Sequence, residues 1–361
     1  KYMMNSIDNL LVKIINIGKT EDKNTIFLIG NTAKIECNNF YFTPVRNYDQ
    51  MIVAGIVVYK ESIAKKIAKK IDGLVDYIFV DAEKKISDSH SLSGEPGNIE
   101  RAVKEVVQKS ILITYKANDL TIEAVDAFLS EYYLKEIVGI GGKKVAIIGA
   151  GNIGSKLALK LVERGANVFL YRRNKVKLDL IVTYINSIKS QYTVAEAYAS
   201  ISCIEACKDA DILIGATNGT PVINKNIISS NLRIRDNFLV IDIGKGSVSK
   251  SAIQIAHSKN IEVYRLGVES ALEGMIVSLI STHNIFSKRT GRGVFHKVRV
   301  VSGGLLAYDN EIIVDNYNDP KIIYGVGNGV GDFERHPNSQ AVNKIKSLEE
   351  IINKTNDKHT F

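Results

Sequence analysis

Short runs of apolar and β-branched residues alternate with amphipathic segments along the first part of the chain. Apolar residues recur at helical spacing over residues 61–71 and 99–109, and Asn98 stands where a helix N-cap is expected. The apolar runs around these helices are typical of strands, and they cover residues 10–16, 25–30, 51–59, 77–80 and 111–115. The pattern predicts a small N-terminal α/β domain over residues 1–118.

A second block of alternating strands and helices follows a connecting segment. Residues 119–135 show an amphipathic pattern that predicts a helix, capped by Asp119 or Thr121, and residues 119–142 therefore join two domains. From residue 143 to 284 the alternation predicts parallel strands with crossover helices, which is a doubly wound Rossmann sheet. Its predicted strands are residues 145–148, 168–171, 212–215, 239–243 and 263–266.

The pattern changes again after residue 284. Apolar runs separated by Gly-Gly and Asn-Asp-Pro turns predict antiparallel strands at residues 294–301, 311–314 and 321–324. A stretch at 325–332 is Gly-rich and is expected to be flexible. Residues 285–361 are therefore expected to form an antiparallel β-rich addition that ends in a surface helix.

One polar segment stands out within the first domain. Residues 87–98 are rich in Ser and in helix and strand breakers, so they predict a loop. That loop is either an ordinary surface connection or a lid over a site, and the sequence leaves both interpretations open.

Composition excludes several classes of protein. The 361 residues carry three Cys, which form no paired disulfide framework, and Cys203 and Cys207 have no nearby His to complete a metal site. The net charge of +8 is spread thinly, without the interleaved basic and aromatic residues of a nucleic-acid surface. No apolar run is long enough to span a membrane. We therefore expect a cytoplasmic enzyme with no metal and no nucleic-acid partner, and we consider a homodimer.

The most specific motif is the sequence GAGNIG at residues 149–154, between a predicted strand and a predicted helix. In a dinucleotide site Gly149 makes the tight turn, Gly151 lets the backbone approach the pyrophosphate, and Gly154 lets the helix pack on the strand. Asn152 and Ile153 open that helix, whose free N–H groups favour phosphate. The motif predicts a nicotinamide-dinucleotide site.

The end of the next strand indicates which cofactor binds. An NAD site has an Asp or Glu there for the ribose 2′-hydroxyl, but this strand is followed by Arg172, Arg173 and Asn174. Guanidinium groups bind a 2′-phosphate bidentately, so we predict NADP. Later strand ends line the same crevice, and they contribute Ala216, Thr217, Gly244 and Gly267, with Lys245 as a further cation for substrate or solvent.

Residues 110–285 resemble a known group of two-domain enzymes. The segments that carry the resemblance are 149–154, 172–174, 210–222, 240–246 and 273–280. They are similar to the shikimate dehydrogenase family, to the methylene-tetrahydrofolate dehydrogenase/cyclohydrolases, and to the NADPH domain of glutamyl-tRNA reductases. The resemblance implies that Arg173 matches the NADP-binding arginine of shikimate dehydrogenases. Leu279 stands where that family has a Gln, and its Pro-His-Lys turn is absent.

The same resemblance implies two alternative catalytic sets. Lys116, Asn118 and Asp119 lie close to the place of the Asn-Thr-Asp motif of shikimate dehydrogenases, and a Lys–Asp pair can relay the proton that accompanies hydride transfer. A helix cap and a surface charge would explain Asp119 and Lys116 equally well. The folate enzymes instead use a Tyr and a Lys, for which Tyr59 and Lys60, with Lys65 and Lys66 downstream, are a loose match.

We therefore predict an NADPH-dependent oxidoreductase that transfers a hydride to or from a polar, anionic small molecule, as in a ketone/alcohol couple. An imine/amine couple like that of the folate enzymes and a non-catalytic NADP-binding regulatory protein are the alternatives.

Overall fold

The computed structural model describes residues 2–32, 40–86, 97–231 and 238–356, without the side chains of residues 2, 355 and 356. The predicted loop at 87–98 therefore lies outside the described residues except for its last two positions. The chain divides into two compact units, Lys1–Met275 and Ile276–Phe361. In the described residues, the first unit contains two sheets and the second contains one.

The first sheet has the strand order β2-β3-β1-β4-β5. β3, β1, β4 and β5 are parallel, and β2 pairs antiparallel with β3 at one edge. An apolar core packs around this sheet. The elements are α1 (Tyr2–Glu21), β1 (Asn24–Asn31), β2 (Phe40–Asn47), β3 (Met51–Val58), α2 (Glu61–Ile71), β4 (Tyr77–Asp81), α3 (Ile99–Lys104) and β5 (Ile111–Tyr115).

The strand predicted at residues 10–16 is wrong, because these residues belong to helix α1. Ile7, Leu11 and Ile14 follow one another at helical spacing and are buried on a single face of α1. A short apolar run is compatible with either a strand or a buried helix face, so the local pattern alone misled the prediction.

Helix α3 is shorter than predicted, since it ends at Lys104 rather than at residue 109. The carboxylate of Asp72 accepts hydrogen bonds of 2.9 Å from the backbone N–H groups of Gln108, Lys109 and Ser110. These N–H groups are therefore bound by a side chain distant in sequence instead of continuing the helix.

The second sheet of the first unit has the order β11-β10-β9-β6-β7-β8 in the described part of the chain, and all its pairings are parallel. This is the Rossmann order, with the switch point between β6 and β9. Its elements are α4 (Ala117–Tyr132), which precedes it, β6 (Lys144–Ile148), α5 (Asn152–Glu163), β7 (Asn167–Tyr171), α6 (Lys175–Ile188), β8 (Ala197–Ala199), α7 (Cys203–Cys207), β9 (Ile212–Gly215), α8 (Lys225–Ser230), β10 (Leu239–Asp242), α9 (Lys250–Ser258), β11 (Glu262–Arg265) and α10 (Glu269–Asn284).

Apolar clusters explain why this sheet carries helices on both faces. One cluster includes Ile147, Leu157 and Leu161, and the other includes Ile148, Leu213 and Val240. Residues that neighbour each other along β6 thus enter different cores, as expected for a parallel strand buried on both sides. The predicted α/β fold class with a doubly wound Rossmann sheet is confirmed.

The second unit contains a four-stranded sheet in the order β12-β13-β14-β15, with helix α11 against it. The sheet is mixed rather than wholly antiparallel, because β13 pairs parallel with β14. The elements are a π-helical turn (Ile285–Arg289), β12 (Gly291–Phe295), β13 (Val298–Ser302), β14 (Asp309–Val314), β15 (Ile323–Asn328) and α11 (Ser339–Asn356).

Two predictions in this unit need correction. The single strand predicted at 294–301 is interrupted by a turn in which His296 and Lys297 have φ angles of 45° and 69°. Gly325 lies in β15, so the Gly-rich stretch expected to be flexible begins within a strand. A Cβ on Gly325 would lie 2.7 Å from the Phe333 ring, so packing requires glycine within that strand.

Within the described ranges, every helix is too short or too polar to cross a membrane. The same residues contain no group of three or more His, Cys, Asp or Glu arranged to hold a metal ion.

Candidate functional site

The glycine-rich loop connects β6 to α5 at the switch point of the Rossmann sheet. Gly149 has a φ of 111°, and a Cβ there would lie 2.7 Å from the backbone of Ala216 at the end of β9. A Cβ on Gly154 would overlap the carbonyl oxygen of Gly149. Both positions therefore require glycine, one for the turn and one for the contact between helix and strand.

Gly151 has a different environment from the other two glycines. A Cβ on Gly151 would meet no atom within 4 Å, so its backbone faces open space. The first hydrogen bond of α5 runs from the N–H of Ser155 to the carbonyl of Gly151. The N–H groups of Asn152, Ile153 and Gly154 precede it, so they take no part in the hydrogen bonds within the helix. Open space beside free N–H groups at a helix start suits the pyrophosphate of a dinucleotide.

The residues after β7 lie beside this loop. Arg172 donates a 2.8 Å hydrogen bond from Nη1 to the carbonyl of Ala150, so its guanidinium crosses the glycine-rich loop. Arg173 is exposed. Asn174 caps α6 by accepting a hydrogen bond from the N–H of Lys177. The structure therefore gives Asn174 a role in the fold and leaves the guanidinium of Arg173 at the surface.

The segments that follow β9 and β10 are joined by hydrogen bonds of the Ser247 and Thr217 hydroxyl groups. The hydroxyl of Ser247 donates 2.9 Å to the carbonyl of Thr217 and lies 2.9 Å from the Thr217 hydroxyl. A Cβ on Gly244 would overlap the same Thr217 carbonyl. Thr217 and Gly244 thus face each other directly, and Ala216 lies against Gly149 on the loop side.

Asp242, the last residue of β10, organises the following turn. Its buried carboxylate accepts hydrogen bonds from the N–H groups of Gly246 and Ser247, at 2.8 and 3.1 Å. Arg265, at the end of β11, lies 3.2 Å from the same carboxylate. Sequence reasoning placed this segment at the crevice but missed that Asp242 and Ser247 hold it. An acid at the end of a buried strand was the available signal.

Beyond β11 the chain contacts the first sheet. Gly267 has no atom within 4 Å of the position of a Cβ, and two residues later Glu269 forms a two-pronged ion pair with Arg46 of β2. The hydrogen bond from Arg46, opposed by burial, lowers the pKa of the Glu269 carboxyl. Lys245 has a φ of 54° and its charge also acts on Glu269.

Lys116 and Asp119, the first predicted catalytic pair, are bound to each other and to α5. The Nζ of Lys116 lies 2.5 Å from Asp119 Oδ2, and the Nζ of Lys156 lies 2.6 Å from Asp119 Oδ1. Burial opposes ionisation of Asp119, but the two lysines lower its pKa. The hydrogen bond to Asp119 raises the pKa of Lys116, which makes its ammonium a weaker proton donor at neutral pH.

The predicted cap of α4 is wrong, because the helix begins at Ala117 and the Lys116 side chain makes no cap bond. Asp119 instead begins a series of ion pairs between α4 and α5. Further along the two helices, Lys160 lies 3.0 Å from Glu123, and Arg164 makes a two-pronged ion pair with the buried Asp126. This ladder joins the connecting helix to the Rossmann sheet.

Asn118, the third residue of that set, lies next to the glycine-rich loop. Its Nδ2 donates 3.1 Å to Oδ1 of Asn152, the first residue of α5. Its backbone N–H lies 3.2 Å from both carboxylate oxygens of Glu83. Asn118 therefore connects the predicted cofactor loop to the end of the first sheet.

The residues of the alternative catalytic set differ in burial and in their partners. Tyr59 follows β3 and is buried, while Lys60 is exposed. Lys65 on α2 pairs with Glu105 at 2.6 Å, and Lys66 is exposed. The structure thus gives Lys65 a partner on the segment after α3.

A group that sequence reasoning missed lies where β1 and β4 end, and we call it the strand-end cluster: Asn31, Asp81, Glu83 and Lys85. The Nζ of Lys85 lies 2.8 Å from a carboxylate oxygen of Asp81 and 2.8 Å from one of Glu83. The Nδ2 of Asn31 donates 2.9 Å to the Glu83 carbonyl. Polar residues directly after the strand 77–81 were the signal, but no motif drew attention to them.

The neighbouring Tyr115, the last residue of β5, contributes to the same surroundings. Burial raises the pKa of its hydroxyl, and the charges of Asp81 and Glu83 raise it further. The hydroxyl therefore stays neutral at physiological pH. The carboxyl ends of the first sheet thus combine a neutral phenol with two carboxylates and one ammonium.

Comparison with known proteins identifies the class of the Rossmann part. Residues 133–266 match the family model described as Shikimate / quinate 5-dehydrogenase. A glutamyl-tRNA reductase of Caldivirga maquilingensis is 25% identical over 239 residues, which are 62% of this chain and 54% of that protein. An adenosylhomocysteinase of Thermoplasma volcanium is 27% identical over 197 residues, 52% of this chain and 43% of that protein.

This chain thus contains a shikimate/quinate 5-dehydrogenase-type NAD(P)-binding Rossmann domain, and glutamyl-tRNA reductases and adenosylhomocysteinases are its distant homologues. The chain spans about half the length of the curated relatives it matches. Among solved structures, a shikimate dehydrogenase in complex with NADP⁺ covers 74% of this chain and 90% of its own, with 15% identity and a TM-score of 0.37. The predicted resemblance to shikimate dehydrogenases and to glutamyl-tRNA reductases is confirmed for the Rossmann part, and the resemblance to the folate enzymes stays a prediction.

Proposed function

We propose that this protein is an NADPH-dependent oxidoreductase that acts on a polar, anionic small molecule at the carboxyl ends of the parallel strands in the two sheets of its first unit. The observation that carries the proposal is the pair of arginines after β7. The guanidinium of Arg172 binds the glycine-rich loop, and Arg173 is exposed. An NAD site would instead have an acid after this strand. Two guanidiniums beside the ribose suit a 2′-phosphate.

The proposed reaction is hydride transfer to a carbonyl carbon, with a proton delivered to its oxygen. Bound NADPH would supply the hydride. The protein's part is to bind and orient: the N–H groups at the start of α5 hold phosphate, and Thr217 and Gly244 line the nicotinamide side. Lys116, Asn118 and Asp119 remain our candidates on the substrate side.

Cofactor preference tests this proposal directly. The double variant Arg172→Ala/Arg173→Ala should raise the Kd for NADPH at least about tenfold and that for NADH less than about twofold, measured by nucleotide fluorescence. Lys175→Ala removes an exposed cation two residues further on and should leave both constants unchanged. Equal losses for the two nucleotides would overturn the NADP assignment.

A non-catalytic NADP-binding protein is the second candidate, and the ion pairs of Asp119 favour it. Both carboxylate oxygens of Asp119 are engaged by lysines, one by Lys116 directly before α4 and the other by Lys156 on α5, so the pair serves the fold as it stands. NADPH consumption with any of a panel of keto acids and ketones would exclude this candidate. Tight NADPH binding without turnover across the panel would support it.

A further inference from the structure

A cavity of about 450 Å³ lies at the amino ends of β1, β4 and β5 in the first unit, and we call it the strand-start cavity. Its volume is within the range of small-molecule sites, which is ~300–1,000 Å³. The lining is formed by the loops before these strands and by the first strand residues, and it includes Gly73, Val75, Asp76, Tyr77, Lys109 and Ile111. The cavity therefore combines apolar side chains with charges of both signs.

The strand-start cavity is separate from the site of the proposed hydride transfer. β4 begins with Tyr77 at the cavity and ends with Asp81 in the strand-end cluster, and four steps along a strand span ~13 Å. The nucleotide loop is connected to that opposite end of the sheet, through Glu83 and Asn118. A ligand in the cavity would thus bind at a second site, which the proposed reaction does not use.

One polar side chain of the lining is nine-tenths buried and has no partner. Tyr77 is 9% exposed, and among the described residues its hydroxyl makes no hydrogen bond. Burial raises the pKa of this hydroxyl, and the charge of Asp76 raises it further, so it stays protonated at neutral pH. A phenol that is buried without a partner costs free energy, and a ligand that hydrogen-bonds to it removes that cost.

Two opposite charges border the same cavity. A Cβ on Gly73 would lie 2.7 Å from Cδ of Lys109, so glycine at this turn makes room for the lysine side chain. Asp76 is fixed through its Oδ2, which accepts hydrogen bonds of 2.7 and 2.6 Å from the N–H and hydroxyl of Thr25. In the part of the chain that the structure describes, neither the Lys109 ammonium nor the Asp76 Oδ1 has a hydrogen-bond or ion-pair partner. The charge of Lys109 also acts on Asp72, whose carboxylate accepts from backbone N–H groups.

We propose that the strand-start cavity binds a free α-amino acid with a short apolar side chain. Lys109 pairs with its carboxylate, and Asp76 Oδ1 accepts a hydrogen bond from its ammonium. The Tyr77 hydroxyl hydrogen-bonds to the same charged end, and Val75 and Ile111 contact the apolar side chain. One cation beside one anion favours a zwitterion over a singly charged ligand, because only a zwitterion engages both groups.

The experiment measures binding of L-valine to the full chain by isothermal titration calorimetry. Isobutylamine lacks the carboxylate of L-valine and isovalerate lacks its ammonium, so these two compounds are matched controls. L-Valine should bind at least about tenfold more tightly than either of them. No binding of L-valine, or equal binding of the three compounds, would overturn the proposal.

Three conservative variants test the individual contacts. Lys109→Met should weaken binding of L-valine at least about tenfold and leave that of isobutylamine unchanged. Asp76→Asn should weaken binding of L-valine and isobutylamine but not that of isovalerate. Tyr77→Phe, which removes only the hydroxyl, should weaken binding of L-valine at least about threefold.

Lys69→Met is the control, because it removes an exposed ammonium of α2 that does not line the cavity. Its affinity for L-valine should equal that of wild type, and the same affinity in Lys109→Met would contradict the proposal. Thermal unfolding of each variant shows that it folds. The Kd for NADPH should be the same in wild type and all four variants, since the cavity lies at the opposite end of the sheet from the nucleotide loop.

Discussion

The amide of Asn118 donates a 3.1 Å hydrogen bond to the amide oxygen of Asn152, and this bond joins the first turn of α4 to the first residue of α5. α4 arises directly from the end of the first sheet, whereas α5 opens the Rossmann sheet after its glycine-rich loop. The bond therefore connects the last strand of one sheet to the nucleotide loop of the other.

We expect Asn118→Ala to weaken both the fold and nucleotide binding, by similar amounts. Loss of a partly exposed hydrogen bond should lower the free energy of unfolding by about 1 kcal/mol. The Asn152 side chain would lose its orientation at the helix start, so the Kd for NADPH should rise by about three- to tenfold, which is ~0.7–1.4 kcal/mol. Glu123→Ala, one turn further along α4, is the control, and its NADPH Kd should not change.

How far the sequence predicts the site depends on whether the signal is local. The GAGNIG motif contains its own strand end, turn and helix start, and the structure places Gly149, Gly151 and Gly154 in three different environments that match three different requirements. The alternation of strands and helices likewise predicts the parallel Rossmann sheet, which is confirmed. These features arise within a few tens of residues and need no knowledge of distant contacts.

The strand-end cluster shows where sequence reasoning stops. Asn31 and Glu83 are 52 positions apart, and they meet only because β1 and β4 are neighbours in the first sheet. Asp242 and Arg265 meet for the same reason, since β10 pairs with β11. Sheet order decides such contacts, and a run of polar residues after one strand does not show which other strand end it faces.

Two glycines of the loop should separate stability from binding. Gly154→Ala should lower the free energy of unfolding by about 1–3 kcal/mol, because its methyl group would overlap the Gly149 carbonyl. Gly151→Ala should change stability by less than about 0.5 kcal/mol, since nothing lies within 4 Å and its φ of −93° suits alanine. Thermal and urea unfolding measure both effects.

Gly151→Ala should weaken nucleotide binding although it hardly changes stability. The added methyl group would occupy the open space beside the first N–H groups of α5, so the Kd for NADPH should rise at least about tenfold, or ~1.4 kcal/mol. If Gly151→Ala bound NADPH as tightly as wild type, the pyrophosphate would not approach the backbone at that position.

The ion pairs between α4 and α5 should contribute unequally to the free energy of unfolding. Asp126 is buried, and Arg164→Ala would leave its carboxylate without the two-pronged partner, which should cost about 2 kcal/mol of unfolding free energy. Lys156→Ala removes an exposed pair with Asp119 and should cost less than about 1 kcal/mol. Similar losses in the two variants, measured by urea unfolding, would contradict this account of the ladder.

The ion pair between Arg46 and Glu269 should make stability depend on acidity. Because Arg46 lowers the pKa of Glu269 below the ordinary 4.5, the folded state favours the carboxylate, and the pair contributes fully above about pH 4.5. The contribution is lost as the pH falls through the lowered pKa. Glu269 is mostly exposed, so Glu269→Gln should cost only about 0.2–1 kcal/mol at neutral pH.

The measurement that checks this is the difference in unfolding free energy between wild type and Glu269→Gln, followed from pH 7 downward. We expect a constant difference down to about pH 4.5 and a decrease below it, since protonation of Glu269 makes wild type resemble the variant. Glu273→Gln, an exposed carboxyl one turn further along α10, should show no such decrease. A difference that grew on acidification would mean that Arg46 does not favour the charged form of Glu269.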